Sequence, residues 1–499
     1  MAPGRQAGNL PVQDITIDLC RGKETPLLPG MTVPPKAGCM STFAPKHTEM
    51  SLRGHTRAIA ILGLPLIGGH VAQFAIGLTD TVMLGWYGVE ALAAVTLGAT
   101  YFFSIFLLGS GFAFAVMPMV AAAAGAGEER QIRRSTRMGL WLSLLYGALA
   151  MPLLWWSEPI LLMLGQQADI AHAAAEYLRI AGWAIFPALL YMVAKSYLAA
   201  LERTQIVLWL SVFGAVLNAL VNYALIFGNW GAPELGITGA AIASLVTNGV
   251  SFVLVLAYAL KVLPEHELLK NFQRPDWEML GQVLRMGTPI GLTTLAETSL
   301  FAASAMMMGW LGTVPLAAHG IAISLAGLTF MVHLGLSNAA TIRAGNAFGR
   351  GDRDHMARGG KVVTVMSLVV SVVGITLFLT LPDPLMSLFL DPADPQKTEI
   401  LLIGAGLLAA AALFQLMDGM QAIALGLLRG VQDTGVPMVI AVLSYWAVGI
   451  PASYVFGFML EWGGVGVWVG LIAGLTTAGV FLMARFWRQS IKLVGTAAV

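Results

Sequence analysis

Twelve long apolar runs separated by short polar gaps constrain this chain more than any other feature. They cover residues 59–84, 92–118, 138–156, 177–201, 206–228, 237–262, 284–309, 316–342, 361–381, 399–427, 437–458 and 465–487. About 20 apolar residues cross the hydrocarbon core as a helix, so each run is read as one transmembrane helix. A transmembrane β-barrel does not fit, because its strands need only about ten residues of alternating polarity. Composition agrees: 57% of the residues are hydrophobic and 11% charged, where a soluble domain is roughly a quarter charged. The expected fold class is an all-α integral membrane protein of twelve transmembrane helices.

The polar gaps set the expected orientation. Of 28 Lys and Arg residues, 25 fall in the N-terminal tail, the even-numbered gaps and the C-terminus. Arg130, Arg133, Arg134 and Arg137 follow the second run; Arg343, Arg350, Arg353, Arg358 and Lys361 follow the eighth. Short cytoplasmic loops are enriched in such residues, which predicts both termini in the cytoplasm. Residues 1–50 are rich in Pro, Gly and Thr and lack helical periodicity or an apolar signal segment. They read either as a disordered tail or as an extension ahead of a natural start at Met50. The net charge of +1 provides no field to attract nucleic acid. Cys20 and Cys39 are the only cysteines, so the membrane body holds no disulfide framework, zinc cluster or thiol nucleophile, and neither a cofactor nor an enzyme is expected.

An internal repeat emerges when Pro65 is laid over Pro289, an offset of 224. Gly85-Trp86 then meets Gly309-Trp310, Leu92-Ala93-Ala94 meets Leu316-Ala317-Ala318, Gly111 meets Gly335, and Gly125 and Gly127 meet Gly349 and Gly351. Such residues are individually common in membrane helices, where they permit close packing. Their shared register over some sixty residues indicates duplication. The expected organisation is a tail over 1–57, an N-lobe of six helices over 58–262, a linker over 263–283, a C-lobe of six helices over 284–487 and a C-terminal tail over 488–499. Six is even, so both lobes enter the membrane in the same sense and a pseudo-two-fold axis runs along its normal, a parallel-repeat transporter layout.

Only Asp80, Glu297 and Asp418 of the 27 acidic residues lie well inside the runs. A charge at the bilayer centre costs roughly 2.5–3.5 kcal/mol even on a lenient scale, so these residues mark a functional cavity or, alternatively, hydrogen-bonded clamps between helices. Gln73 shares the face of Asp80, and Gln415 and Gln421 flank Asp418 at three residues either way, so Gln73, Gln415 and Gln421 are candidate cavity residues. Asn218 and Asn222 share one face of the fifth helix. Lys195 either faces the interior or snorkels. His70, His319 and His333 lack metal-ligand spacing and read as packing residues, with no metal site expected beyond Na+ at Glu297 and Asp418. Met306, in the run Met306-Met307-Met308, is either part of an adaptable substrate wall or ordinary packing.

Taken together these segments resemble the multidrug and toxic compound extrusion (MATE) family, in its NorM-like bacterial branch. The resemblance spans about residues 58–487. Its motifs are Gly63-Leu-Pro-Leu with Gln73, Asp80-Thr81-Val82-Met83-Leu84-Gly85, Leu92-Ala93-Ala94-Val95, Asn218-Ala-Leu-Val-Asn222, Gly287-Thr-Pro-Ile with Glu297, and Phe414-Gln-Leu-Met-Asp418 through Leu428-Arg429-Gly430 to Asp433-Thr434. What the resemblance implies is a multidrug efflux antiporter of the bacterial inner membrane. It would exchange cationic amphipathic compounds for Na+ or H+ by alternating access. Glu297 and Asp418 match the family's C-lobe cation site, and Asp80 with Asn218, Asn222 and Ser244 matches its N-lobe site. Phe414 and Asn222 stand where some relatives carry a tyrosine and an aspartate, which leaves both Na+ and H+ open. The expected partners are small-molecule drugs and the lipid bilayer, with the chain acting as a monomer. The alternative is a flippase for a lipid-linked oligosaccharide, which needs a strongly basic cavity; Lys195 is the one base that reads as intramembrane.

Overall fold

Hydropathy locates the centre of a membrane helix well and its ends poorly, and the helices here extend beyond their apolar cores. The computed structural model describes residues 50–391 and 395–494; the question of a start at Met50 concerns residues that lie outside them. Among these described residues, twelve helices are long and apolar enough to cross a membrane. They are α1 (Leu52–Tyr87), α2 (Glu90–Ala126), α3 (Glu129–Trp155), α4 (Ala168–Ala200), α5 (Thr204–Phe227), α6 (Gly236–Val262), α7 (Trp277–Leu311), α8 (Thr313–Gly349), α9 (Arg353–Thr380), α10 (Lys397–Gly430), α11 (Gly435–Met459) and α12 (Gly463–Lys492). α3 begins at Glu129 rather than 138, and α7 at Trp277 rather than 284. Both extensions are amphipathic: Ile132, Ser135 and Thr136 are buried on α3 and Met279 and Val283 on α7, while the intervening polar residues depress the average hydropathy. The expected linker over 263–283 therefore shortens, its last residues forming the start of α7.

That linker is bound to α3. Arg137 donates to the carbonyls of Lys270, Asn271 and Arg274 at 2.8–3.1 Å, and Trp141 Nε1 donates to the carbonyl of Phe272 at 2.8 Å. Asp276 caps α7 by accepting from the Met279 amide at 3.1 Å, and it also receives Arg134 Nε at 2.5 Å and Nη2 at 3.1 Å. Arg134 holds the Asp276 carboxyl below the usual carboxylate range. Because the folded state lowers this pKa, the interaction stabilises above pH about 4 and is lost as pH falls below it. Asp276→Ala removes both cap and pair; since the pair is partly solvated, a loss of about 1 kcal/mol is expected. The check is the thermal midpoint of the detergent-solubilised full chain, whose deficit should disappear when both proteins are compared at acid pH.

The seam between the two six-helix halves obeys the repeat. A Cβ on Gly335 of α8 would stand 2.7 Å from the amide nitrogen of Ile67 on α1, and one on Gly111 of α2 would stand 2.4 Å from that of Gly291 on α7. These contacts interconvert under the offset of 224. So do two others: Gly125 against the Asn346 carbonyl and Gly349 against the Ala122 carbonyl. Only glycine permits these backbone approaches, so α1 with α8 and α2 with α7 form two pseudo-equivalent seams, and α2 with α8 closes one end of the bundle. At that end Glu202, in the turn after α4, meets Arg343 Nη1 at 3.9 Å and Asn346 Nδ2 at 3.4 Å.

Candidate cation sites and central cavity

Where the seams diverge, a cavity of about 330 Å³ opens between the halves. Phe103, Phe106 and Phe114 of α2, Phe301 of α7 and Phe330 of α8 supply its apolar wall. Gln73, Lys195, Asn248, Glu297, Asn338, Gln421 and Arg429 supply polar groups. On α2 and α8 the lining ends near Met117 and Asn338, before the backbones touch at Gly125 and Gly349.

Glu297 accepts from Gln421 Nε2 at 2.9 Å, which ties α7 to α10 at the cavity edge. Deeper, Asp418 is only 3% exposed, and its Oδ1 has no hydrogen-bond partner among the described residues. The same holds for Gln421 Oε1, both amide atoms of Gln415 and the hydroxyl of Tyr445. Glu297, Asp418 and Tyr445 lie within electrostatic reach of one another, and Arg429 stands in the field of Glu297 and Tyr445. Buried polar atoms ordinarily find partners, so this concentration of orphaned oxygens is the feature of the C-terminal half that requires explanation. Two carboxylates, an amide carbonyl and a phenol make an oxygen-rich set suited to a hard cation or a proton.

A smaller cluster lies in the N-terminal half. Asn222 Nδ2 donates to Asp80 Oδ1 at 2.5 Å and lies 3.1 Å from Asn218 Oδ1, which joins α1 to α5. Asn222 Oδ1 and Asn218 Nδ2 are left without partners among the described residues. Ser244 of α6 is half-buried beside Tyr177, which is itself within electrostatic reach of Asp80; no direct bond joins Ser244 to Asp80 among the described residues.

Gln73 and Gln421 line this cavity, and Gln415 and Met306 are not among its lining residues. The Gln415 amide lies over Gly374 of α9, about 120° around α10 from Gln421. Met306 is 63% exposed, and the buried members of its run are Met307 and Met308. Phe414 packs between Phe301 and Trp468, with ring centroids 5.9 and 5.3 Å away. The histidines tie helices together: His70 meets Asn338 at 2.9 Å, His319 accepts from Trp468 at 3.1 Å and His333 meets Ser367 at 3.0 Å.

Sequence reasoning missed two residues. Arg429 looks like a loop arginine, but it lines the cavity with its guanidinium 5.9 Å from the Phe114 centroid, so Lys195 is not the only base there. Tyr445 looks like an ordinary aromatic, but it is fully buried in a π-type turn, Ser444–Gly449, within α11. Such turns recur at functional sites; the nearby Pro451, which cannot donate to the regular ladder, was an available signal.

Among the described residues, twelve membrane-spanning helices in two pseudo-equivalent halves around a central cavity have the layout of a parallel-repeat membrane transporter. The MatE family profile matches residues 65–224 and again residues 289–455, once in each half. The chain is 46% identical over 444 residues to "Probable multidrug resistance protein NorM" of Rhizobium meliloti (strain 1021), covering 89% of this chain and 95% of that one. It is 43% identical over 434 residues to the protein of the same description from Agrobacterium fabrum, covering 87% and 93%. Among solved structures it resembles the outward-facing conformation of a multidrug resistance MATE family transporter, with TM-score 0.78, 21% identity and coverage of 89% of this chain and 97% of that one. A eukaryotic MATE transporter superposes with TM-score 0.77 at 18% identity, covering 90% and 100%. The chain belongs to the MatE family.

Proposed function

We propose that this protein exports cationic amphipathic compounds across a bacterial inner membrane in exchange for Na+ or H+. Glu297 and Asp418 act as the principal coupling acids, and Asp80 with Asn218, Asn222 and Ser244 forms a second coupling site. The observation that carries this reading is the Glu297–Asp418 cluster, with its unpartnered buried oxygens, at the edge of an aromatic-walled cavity. The multidrug resistance descriptions of the relatives support the substrate class.

The physics of exchange follows from these residues. A carboxylate removed from water is costly as a bare charge and is relieved by a proton or a monovalent cation. Glu297 can also attract a cationic substrate, so ion and substrate compete for one negative charge. Competition for one site reached alternately from two sides is antiport. Each net charge moved gains roughly 2.3 kcal/mol per 100 mV of membrane potential.

Orientation rests on the asymmetry of Lys and Arg, which puts the chain termini and the end closed by Gly125, Gly349 and Glu202 at the cytoplasm. The cavity then belongs to an outward-facing state, and transport by a monomer needs only the two halves of one chain.

Ethidium movement in proteoliposomes of the purified full chain, with Na+ and proton gradients imposed separately, tests the proposal. Ethidium should move only when one gradient is present and should slow when that gradient is collapsed. Absence of gradient-dependent movement under either ion would refute antiport.

A further inference from the structure

The two walls of the cavity differ in the charged groups that they carry at their helix contacts. In the C-terminal half, α7 and α10 meet through Glu297 and Gln421, an acid with a neutral amide. In the N-terminal half, the equivalent helices α1 and α4 meet through Gln73 and Lys195, a neutral amide with a base, at 3.2 Å. Under the offset of 224, Gln73 is the counterpart of Glu297. Lys195 falls on Gly419 under the same offset, not on Gln421, so the two contacts share counterparts only at Gln73 and Glu297 and differ in the partner each has recruited.

The bases differ in what faces them. Arg429 stands in the field of Glu297 and against the face of Phe114. Lys195 has Gln73 Oε1 as its hydrogen-bond acceptor, and among the described residues no carboxylate forms an ion pair with it. An ammonium carries three donors, so Lys195 retains capacity for an anion. It could satisfy that capacity by snorkelling to water, but its ammonium is held at the cavity wall by Gln73.

We infer that Lys195, positioned by Gln73, is an anion subsite that selects substrates bearing a carboxylate as well as an amine. The amine is directed to Glu297 and the aromatic body to the phenylalanine wall. This inference rests on the efflux reading above and adds a specificity determinant to it. A purely cationic substrate meets Lys195 as a like charge, whereas a zwitterion satisfies both walls at once.

The test uses three probes with the full chain in proteoliposomes: a fluoroquinolone carrying a free carboxylate and an amine, its ethyl ester, and ethidium. The wild type should transport the zwitterion with a KM roughly tenfold or more below that of the ester. Lys195→Met should erase that difference by raising the zwitterion KM to that of the ester, while Lys195→Arg should preserve the zwitterion preference. Equal KM values for zwitterion and ester in the wild type would overturn the inference even if Lys195→Met failed to fold. So would an Lys195→Met protein that retained the preference, or one that lost all three substrates equally while remaining monodisperse. Gradient-driven ethidium transport without a zwitterion preference would overturn the anion subsite alone; absence of gradient-driven transport of all three probes would overturn the efflux reading together with it.

Discussion

Asp418→Asn and Glu297→Gln are each expected to abolish ion-driven efflux, lowering the gradient-dependent rate at least about tenfold, while leaving the protein folded. Both replacements preserve volume, and the new amide of Glu297→Gln keeps an oxygen facing the Gln421 donor at 2.9 Å. What they remove is the ability to alternate between charged and neutral forms. Because the carboxylates are buried and Asp418 Oδ1 has no partner, neutral isosteres relieve a desolvation penalty, and the thermal midpoint should hold or rise. A purely structural clamp predicts the reverse, lower stability with coupling intact. The discriminating measurement pairs the melting temperature with ethidium flux under an imposed gradient. Full gradient-driven flux in either variant would remove that residue from the coupling mechanism.

The contrast between Gln421 and Gln415 shows where sequence stops being informative. Both lie three residues from Asp418, yet one faces Glu297 and the cavity and the other lies over Gly374. Helical periodicity places residues around one cylinder; which arc meets a cavity depends on the neighbouring helices, and those contacts are tertiary. Met306, read either as cavity wall or as ordinary packing, shows the same dependence: it is exposed, one helical step of about 100° from its buried neighbour Met307. Arg429 and Tyr445 fail differently. An arginine at the end of an apolar run and an aromatic near a helix interior are ordinary in any membrane protein, and only the fold brings them near Glu297. The helix order, by contrast, was legible because each run satisfies the bilayer independently of its neighbours. The repeat was legible because its glycines mark backbone contacts that no larger residue allows, as at Gly111 and Gly335.

Asp80 allows the coupling and clamp readings to be separated within one residue. Under the offset of 224 its counterpart is Ser304, a buried serine that binds the Phe301 carbonyl at 2.8 Å. Each half thus keeps an acid where the other has a neutral polar group, so the N-terminal acid is not a relic of symmetry. Asp80 accepts from Asn222, whose amide also reaches Asn218, so an acceptor at this place links α1 to α5. Asp80→Asn retains an acceptor oxygen but cannot ionise. It should fold normally, transport more slowly and displace the pH profile of efflux. Asp80→Ala removes the acceptor, leaving the Asn222 amide with a weaker set of partners, and should in addition lose about 1–3 kcal/mol of stability. Efflux equal to wild type in Asp80→Asn across mildly acidic to mildly alkaline pH would eliminate coupling at this site. If Asp80→Ala alone were then defective, the carboxylate would be a hydrogen-bonding clamp, and ion coupling would rest on Glu297 and Asp418 in the other half.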